Sequence, residues 1–339
     1  MIRYEGSLAL PAEYRPDLDI RETEIAIKMI KDQFEDQLAD TLNLTRVSAP
    51  LFVRPETGLN DNLNGIERPV DFTIRELAAD VEIVHSLAKW KRMALARYGF
   101  RQGEGLYTDM NAIRRDETLD NLHSVYVDQW DWELIISKEQ RQMDTLRQAV
   151  EEIYRCLLRT ENHVGRAWPC LRRKLPPEIT FISTRELEAR WPDLEPQERE
   201  HRICREAGAV FLTQIGLPLS NGRAHDGRAP DYDDWQLNGD LLLWFPLLER
   251  SFEISSMGIR VDEESLKEQL EVSGCQERQH LQFHRRVLEG TLPYTIGGGI
   301  GQSRLCQFFL DKAHIGEVQA STWPDWMVEK CQQNHMYLL

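Results

Sequence analysis

Two predicted strands, residues 240–247 and 251–261, follow each other with only a short gap between them. A parallel pair needs a crossover of a dozen or more residues, so this short connection favours antiparallel neighbours. The other predicted strands, at 81–85, 123–133, 179–183 and 209–215, also fail to alternate regularly with helices. We therefore predict an α+β fold with a mainly antiparallel sheet flanked by helices.

The helices are predicted from apolar residues that recur every three or four positions. Between residues 21 and 43, Ile27, Ile30, Phe34 and Leu38 form one such stripe. Further helices are predicted at 86–98, with Ser86 as the cap, and at 138–164, 196–207, 263–272, 277–289 and from about 303. Pro50 cannot donate to a strand ladder, so the strand predicted at 45–53 belongs at a sheet edge or a subunit boundary.

The domain organisation follows from composition. Residues 1–20 contain Pro11 and Pro16 and show no clear period, so we predict an N-terminal arm. Residues 21–339 contain no repeat or linker, and with 41% hydrophobic residues the chain can fill a sizeable core as a single domain.

Charge and cysteine content narrow the function classes. The formal net charge of −15 repels polyanions, so nucleic acid is an unfavourable partner. No apolar run approaches the roughly 20 residues of a membrane span, and the first residues lack the features of a signal peptide. The six cysteines contain no C-x-x-C pair and are interpreted as reduced thiols, which favours a cytoplasmic location.

The segment His123–Glu133 alternates with period two, so we predict a strand on which Val125, Val127 and Gln129 share one face. A polar Gln129 after two valines is unusual for a face that only packs. We expect this face to change from core packing to ligand contact along the strand.

Two glycine-containing runs are candidates for phosphate binding. The run from Gly297 to Arg304 precedes a predicted helix; a flexible turn is the alternative, and its position after a helix argues against a dinucleotide fingerprint. Glycines allow close approach of a nucleotide, and Arg304 adds a fixed positive charge. The second run, 103–108, is followed by Arg114, which could hold a phosphate if it faces the same cleft.

Three groups of carboxylates are candidates for metal or substrate contact. They are Asp233 within the run 228–235, Asp240 just beyond it, and Glu253 on a predicted strand. Solvated loop residues are the simpler interpretation, but Mg²⁺ bound to ATP takes oxygen ligands from one or two carboxylates. Asp61, in the polar turn 59–65, is also a candidate, with ordinary turn chemistry as the alternative.

Taken together, the runs resemble one family over residues 21–324. In order they are LNDNLNG, VHSLAKWKR, GEGLYT, HSVYVDQWDWE, RAPDYDDW, LNGD, SSMGIRV and TIGGGIGQSR. They are similar to ammonia-dependent asparagine synthetases, also called aspartate–ammonia ligases, whose catalytic fold is that of class II aminoacyl-tRNA synthetases. The resemblance implies a single catalytic domain over 21–339 and a homodimer formed through the helix and strand that end at Pro50.

The resemblance also implies a reaction. Aspartate and ATP, with Mg²⁺, would form β-aspartyl-AMP and pyrophosphate, and ammonia would then release asparagine and AMP. The implied site residues fall into four groups: Asp61, Arg114, Gln129 and Asp233 for catalysis; Ser86, Lys91, Ser256 and Arg260 for aspartate; Arg114, Glu253, Gly299, Gly301 and Arg304 for ATP; Glu253 and Asp240 for the metal.

Two other functions remain open at this point. One is a synthetase-like paralogue that binds tRNA or regulates another enzyme, although its net charge and the lack of room for an anticodon-binding domain disfavour RNA. The other is a catalytically silent scaffold. A loop between Trp235 and Leu237 that is shorter than the family pattern is the observation behind the second alternative.

Overall fold

The computed structural model describes residues 2–63 and 67–339. Met1 and residues 64–66 lie outside the described residues, and with them the end of the predicted 59–65 turn. The elements in chain order are β1 (Ile2–Glu5), β2 (Leu8–Pro11), α1 (Ile20–Leu42), β3 (Leu44–Arg46), β4 (Phe52–Val53), β5 (Asp71–Ile74), β6 (Ala79–Ile83), α2 (Ala88–Tyr98), β7 (Gly105–Ile113), β8 (Tyr126–Ile135), α3 (Met143–Ala167), β9 (Thr180–Ser183), α4 (Thr184–Arg190), α5 (Pro196–Ala207), β10 (Ala209–Thr213), β11 (Asp233–Phe245), β12 (Arg250–Arg260), α6 (Glu263–Val272), α7 (Gln282–Leu288), β13 (Thr295–Gly301), α8 (Gln302–Phe309) and α9 (Asp325–Gln333). Short 3-10 turns lie at Pro55–Thr57, Arg75–Leu77, Gln276–His280 and Ile315–Glu317.

An eight-stranded sheet organises the chain, in the order β3-β7-β8-β13-β12-β11-β10-β9. Every pairing from β7 to β10 is antiparallel, while β3 and β9 join the two edges in parallel. The predicted α+β fold with a mainly antiparallel sheet is confirmed. β11 and β12, which are joined by a short connection, form the expected antiparallel pair.

The main core lies on one face of this sheet, under α1, α3 and α8. The stripe of α1 is buried as predicted, and its Phe34 contacts Trp130 of β8 with ring centroids 5.0 Å apart. Trp130 and Trp132 point into this core, so Gln129, Asp131 and Glu133 occupy the opposite face by alternation. That opposite face carries α2 and the cleft described below. None of the helices in the described part of the chain combines the length and apolar character needed to cross a bilayer.

Several element predictions differ from the structure. Pro50 interrupts the strand predicted at 45–53, leaving β3 and β4 in different sheets. The helix predicted from Ser86 begins at Ala88, and its N-cap residue is Leu87, which makes no side-chain capping hydrogen bond. Residues 1–20, predicted as an arm, contain the β1–β2 hairpin, in which Leu8 and Leu10 belong to the main core. The division into an arm and a single catalytic domain stays a prediction.

Glu317 gives a testable pH dependence of stability. Its carboxylate is buried (3% exposed) against the Tyr14 hydroxyl at 3.0 Å, and burial raises its pKa to about 7. The folded chain therefore binds more protons than the unfolded chain between about pH 4.5 and 7, so the free energy of unfolding falls as pH rises through this range. This group alone costs on the order of 3 kcal/mol above pH 7.

We expect Glu317→Gln to remove that cost. In urea unfolding, the stability of Glu317→Gln relative to the wild type should increase by roughly 2 kcal/mol between pH 5 and pH 8. A difference that stays constant across this range would contradict the assignment.

Candidate active site

A cleft of about 540 Å³ lies on the α2 side of the sheet. Its walls come from α2, β8, β12 and β13 and from the loops around residues 61, 116 and 228. Twelve of the thirteen residues predicted for the site line it: Asp61, Ser86, Lys91, Arg114, Gln129, Asp233, Glu253, Ser256, Arg260, Gly299, Gly301 and Arg304. The thirteenth, Asp240, contacts the cleft through Arg228.

The glycine run forms the central strand β13 and is not a flexible turn. None of these glycines has a positive φ, so their role is to leave space rather than to permit an unusual backbone. A Cβ on Gly299 would lie 2.5 Å from Gln129 Oε1 and 2.6 Å from Asp131 Oδ1. A Cβ on Gly297 would meet the Glu133 carboxylate. The glycines therefore leave space for polar side chains of the neighbouring strand β8 to lie over β13.

Asp131 and Glu133 of β8, together with Asp233, Lys91 and Arg260, form what we call the buried charged floor of the cleft. Arg260 donates from Nη2 to Glu133 Oε2 at 2.7 Å and from Nη1 to Asp233 Oδ1. Lys91 donates to the Gly298 carbonyl at 2.9 Å and lies 3.5 Å from Asp131 Oδ2. Each of these charges has an opposite charge nearby, as buried charges require.

Burial shifts the pKa values of this floor in different directions. Burial lowers the pKa of Lys91 and raises that of Asp233 despite the nearby Arg260. Burial also works against ionisation of Glu133, but the charge and hydrogen bonds of Arg260, together with the charge of Lys91, lower the pKa of Glu133. Between Glu133 and Asp233, Asp233 is therefore the better suited to accept a proton.

The outer part of the cleft carries two more arginines. Arg304, at the start of α8, donates to the Glu253 carbonyl at 3.1 Å and lies 3.6 Å from its carboxylate. Arg114 follows β7, and its Nε is buried without a hydrogen-bond partner among the described residues. An unpaired guanidinium donor facing a cleft is suited to an anionic ligand.

Asp240 and Glu253 fit the carboxylate pair of a nucleotide-bound magnesium ion. They lie on the neighbouring strands β11 and β12, and burial and the charge of Glu253 help to raise the pKa of Asp240 to about 8. Asp240 Oδ2 accepts from Arg228, while its buried Oδ1 has no partner within the described ranges. The described residues contain no group of three or more His, Cys, Asp or Glu able to hold a metal alone. A pair that shares the ion with phosphates is consistent with this.

Asp61 lies at the opposite wall and is 2% exposed. Its Oδ1 accepts from the Leu63 N–H at 2.8 Å, and the neighbouring Asn60 fixes the turn by accepting from the His85 N–H at 2.8 Å. The turn is thus tied to the end of β6. Ser86 is the residue after His85, and it lies on the same wall of the cleft.

Sequence reasoning did not select Asp131, Arg228 and Tyr232, which line the cleft, or Glu133, which braces Arg260. Asp131 and Glu133 continue the alternation of Gln129 on β8, so extending the period-two pattern would have found them. Arg228 and Tyr232 lie in a run that was singled out for its carboxylates. Only their position in the fold shows that they matter.

The family described as aspartate-ammonia ligase matches residues 21–335. The chain is similar to the aspartate–ammonia ligases of Ruminiclostridium cellulolyticum, at 61% identity over 98% of this chain and all of the relative, and of Lactobacillus johnsonii, at 60% over the same shares.

Solved structures show the same fold at low sequence identity. Asparaginyl-tRNA synthetase from Pyrococcus horikoshii complexed with asparaginyl-adenylate superposes with a TM-score of 0.66 at 18% identity, covering 90% of this chain and 71% of that chain. The Entamoeba histolytica asparaginyl-tRNA synthetase gives 0.63 at 14% identity, covering 88% and 67%. The predicted class II aminoacyl-tRNA synthetase fold is confirmed, and the chain belongs to the aspartate–ammonia ligase family.

Proposed function

We propose that this protein makes L-asparagine from L-aspartate and ammonia at the expense of ATP, through a β-aspartyl-AMP intermediate. AMP and pyrophosphate are the other products. One observation supports this most strongly: five cations converge on a single cleft in a chain of net charge −15, namely Lys91, Arg114, Arg228, Arg260 and Arg304. Nine carboxylates line the same cleft, so these cations act as individually placed donors and not as a net positive field. Arg114, whose Nε has no partner among the described residues, is the one best suited to a phosphate.

Aspartate would occupy the buried floor. Lys91 and Arg260 would meet its α-carboxylate, and the hydroxyls of Ser86 and Ser256 would complete the contacts. Because Glu133 already braces Arg260, this guanidinium needs little ordering when the substrate arrives.

ATP would occupy the outer part of the cleft. Arg114 would hold the α-phosphate, and Arg304 would contact the other phosphates and the adenine face. Gly299 and Gly301 leave space for the nucleotide. Both arginines would stabilise the negative charge that develops around the α-phosphorus.

Glu253 and Asp240 would hold Mg²⁺ together with the phosphates of ATP. When bound, the ion neutralises phosphate charge and helps to fix the nucleotide.

The reaction has two steps. First, a β-carboxylate oxygen of aspartate forms a bond to the α-phosphorus, and the bond to pyrophosphate breaks. Second, the ammonia nitrogen forms a bond to the β-carbonyl carbon, the bond from that carbon to the AMP oxygen breaks, and the nitrogen loses a proton. Asp61, Gln129 and Asp233 would orient the reacting groups. The raised pKa of Asp233 is consistent with a role for its carboxylate as proton acceptor.

We also propose that the protein is a cytoplasmic homodimer. The exposed Ile20 and Ile25 near the start of α1 offer apolar surface for a subunit contact. This helix and the edge strand β3 carry the resemblance to the dimer-forming element of the synthetase fold.

Product analysis tests this function. The protein is incubated with aspartate, ATP and Mg²⁺, with and without ammonium, and the products are separated by chromatography. We expect equal amounts of asparagine and AMP, both dependent on ammonium. Formation of ADP, or products that ignore ammonium, would overturn the proposal. Binding of both substrates without any asparagine would instead support the silent paralogue.

A further inference from the structure

The segment 230–235 brings Tyr232 and Asp233 to the cleft, but its main chain is only partly paired. β11 pairs with β12 at Asp233 and again from Asn238, with a register shift between these two points. The intervening residues leave the ladder, so their buried backbone groups need partners from elsewhere.

Gln269 of α6 supplies one of these partners and also holds the main chain just ahead of the register shift. Its side-chain Nε2 donates to the carbonyl oxygens of Pro230 and Asp233, both at 2.9 Å. Its Oε1 accepts from the Trp235 N–H at 2.8 Å. One buried side chain therefore holds the main chain before, at and after Asp233.

A second anchor holds the same segment at Asp231. The Nζ of Lys89 donates to Asp231 Oδ2 at 3.0 Å, and His284 Nε2 lies 2.9 Å from the same oxygen. Although burial opposes ionisation, Lys89 and His284 hold the pKa of Asp231 well below its usual range. These anchors come from α2 and α7 and are not among the described residues that line the cleft.

We propose that Gln269 is a positioning residue that fixes Asp233 for the reaction of aspartate, an inference that rests on the proposed function. Asp233 contacts Arg260, and productive geometry at such a site tolerates errors of only about 0.5 Å. Freeing the Asp233 carbonyl would let its carboxylate move relative to Arg260 and the substrate.

The effect should be selective for aspartate. Arg114, just after β7, and Arg304, on α8, are the groups proposed for ATP. Neither hydrogen-bonds to Gln269 in the described structure. A change at Gln269 therefore reaches the amino-acid side of the cleft first.

The test compares three variants. Gln269→Met keeps side-chain length and helix propensity but removes all three hydrogen bonds. We expect kcat/KM for aspartate to fall at least about 10-fold, with KM for ATP changed by less than about 3-fold. Gln269→Glu keeps the acceptor for Trp235 but sets a carboxylate oxygen against the two carbonyl oxygens, so kcat/KM for aspartate should fall at least as far as in Gln269→Met. Glu268→Ala, exposed on the same helix, should match the wild type.

Hydrogen exchange gives a readout that does not need ligase activity. In Gln269→Met, amides of residues 231–236 should exchange at least about 10-fold faster while those of β12 stay protected. Hydrogen exchange that is faster throughout the chain, together with equal losses of kcat/KM for aspartate and for ATP, would show a merely structural role and overturn the inference. Unchanged aspartate kinetics would do the same. An inactive wild type would overturn the proposed function, and aspartate calorimetry would then replace the kinetics.

Discussion

Arg304→Ala should reduce aspartate-dependent exchange of pyrophosphate into ATP by at least about 100-fold. Arg304 stands at the head of α8, with its guanidinium over the outer cleft beside Glu253. Exchange reports the first half-reaction alone, so the loss would not depend on ammonia. Arg304→Lys should recover part of the rate, because it keeps the charge and loses the planar fork.

The fold should tolerate the Arg304 change. The same helix buries Leu305 and Phe308, which stay in the core, so the melting temperature should shift by only a few degrees, roughly 1 kcal/mol. Arg166→Ala is the matched control, since it removes one exposed arginine from α3, away from the cleft. Exchange as fast in Arg304→Ala as in Arg166→Ala would remove Arg304 from the site.

Gly297→Ala should destabilise the protein by about 3 kcal/mol and abolish aspartate binding. The added Cβ would meet the Glu133 carboxylate and lie 2.6 Å from the Trp132 carbonyl and 2.7 Å from Arg260 Nη2. Gly297 lies between β8 and β12, so its backbone cannot move away without disturbing both ladders. Denaturant unfolding and aspartate calorimetry measure the two effects.

Gly165→Ala is the control for this change. Its Cβ would meet Arg173 Nε at 3.6 Å, an ordinary contact, and its place inside α3 predicts a gain of up to about 1 kcal/mol. If Gly297→Ala proved as stable as the wild type and still bound aspartate, the account of β13 as space for the charged floor would be wrong.

The sequence predicts those parts of the fold in which apolar and polar side chains alternate with the period of a helix or a strand. The apolar stripe of α1 and the alternation of β8 can both be read from the sequence. One polar residue on an apolar face, Gln129, predicts that this face of β8 changes from core packing to ligand contact. β13 was missed as a strand because three consecutive glycines leave no side chains from which a period can be read. Its identity as a strand depends on the polar groups of β8 that fill the space.

The candidate site was predicted mainly through the resemblance, since its members are far apart in the chain. Lys91 and the carbonyl of Gly298 meet across 207 residues, and no local pattern connects them. Gln269 looks like an ordinary polar residue of α6, and only the unpaired backbone of 230–235 reveals what it does. The loop between Trp235 and Leu237, predicted to be shorter than the family pattern, falls in this anchored segment, where the register of β11 shifts.

Oxygen transfer tests the central claim, adenylation of the aspartate side chain, most directly. Aspartate labelled with ¹⁸O in its β-carboxylate is converted with ATP, Mg²⁺ and ammonium, and the products are analysed by mass spectrometry. The account predicts one ¹⁸O atom in the phosphate of AMP and none in pyrophosphate, because AMP leaves with a former carboxylate oxygen. Asparagine formed together with unlabelled AMP, or label in any other phosphate product, would contradict it.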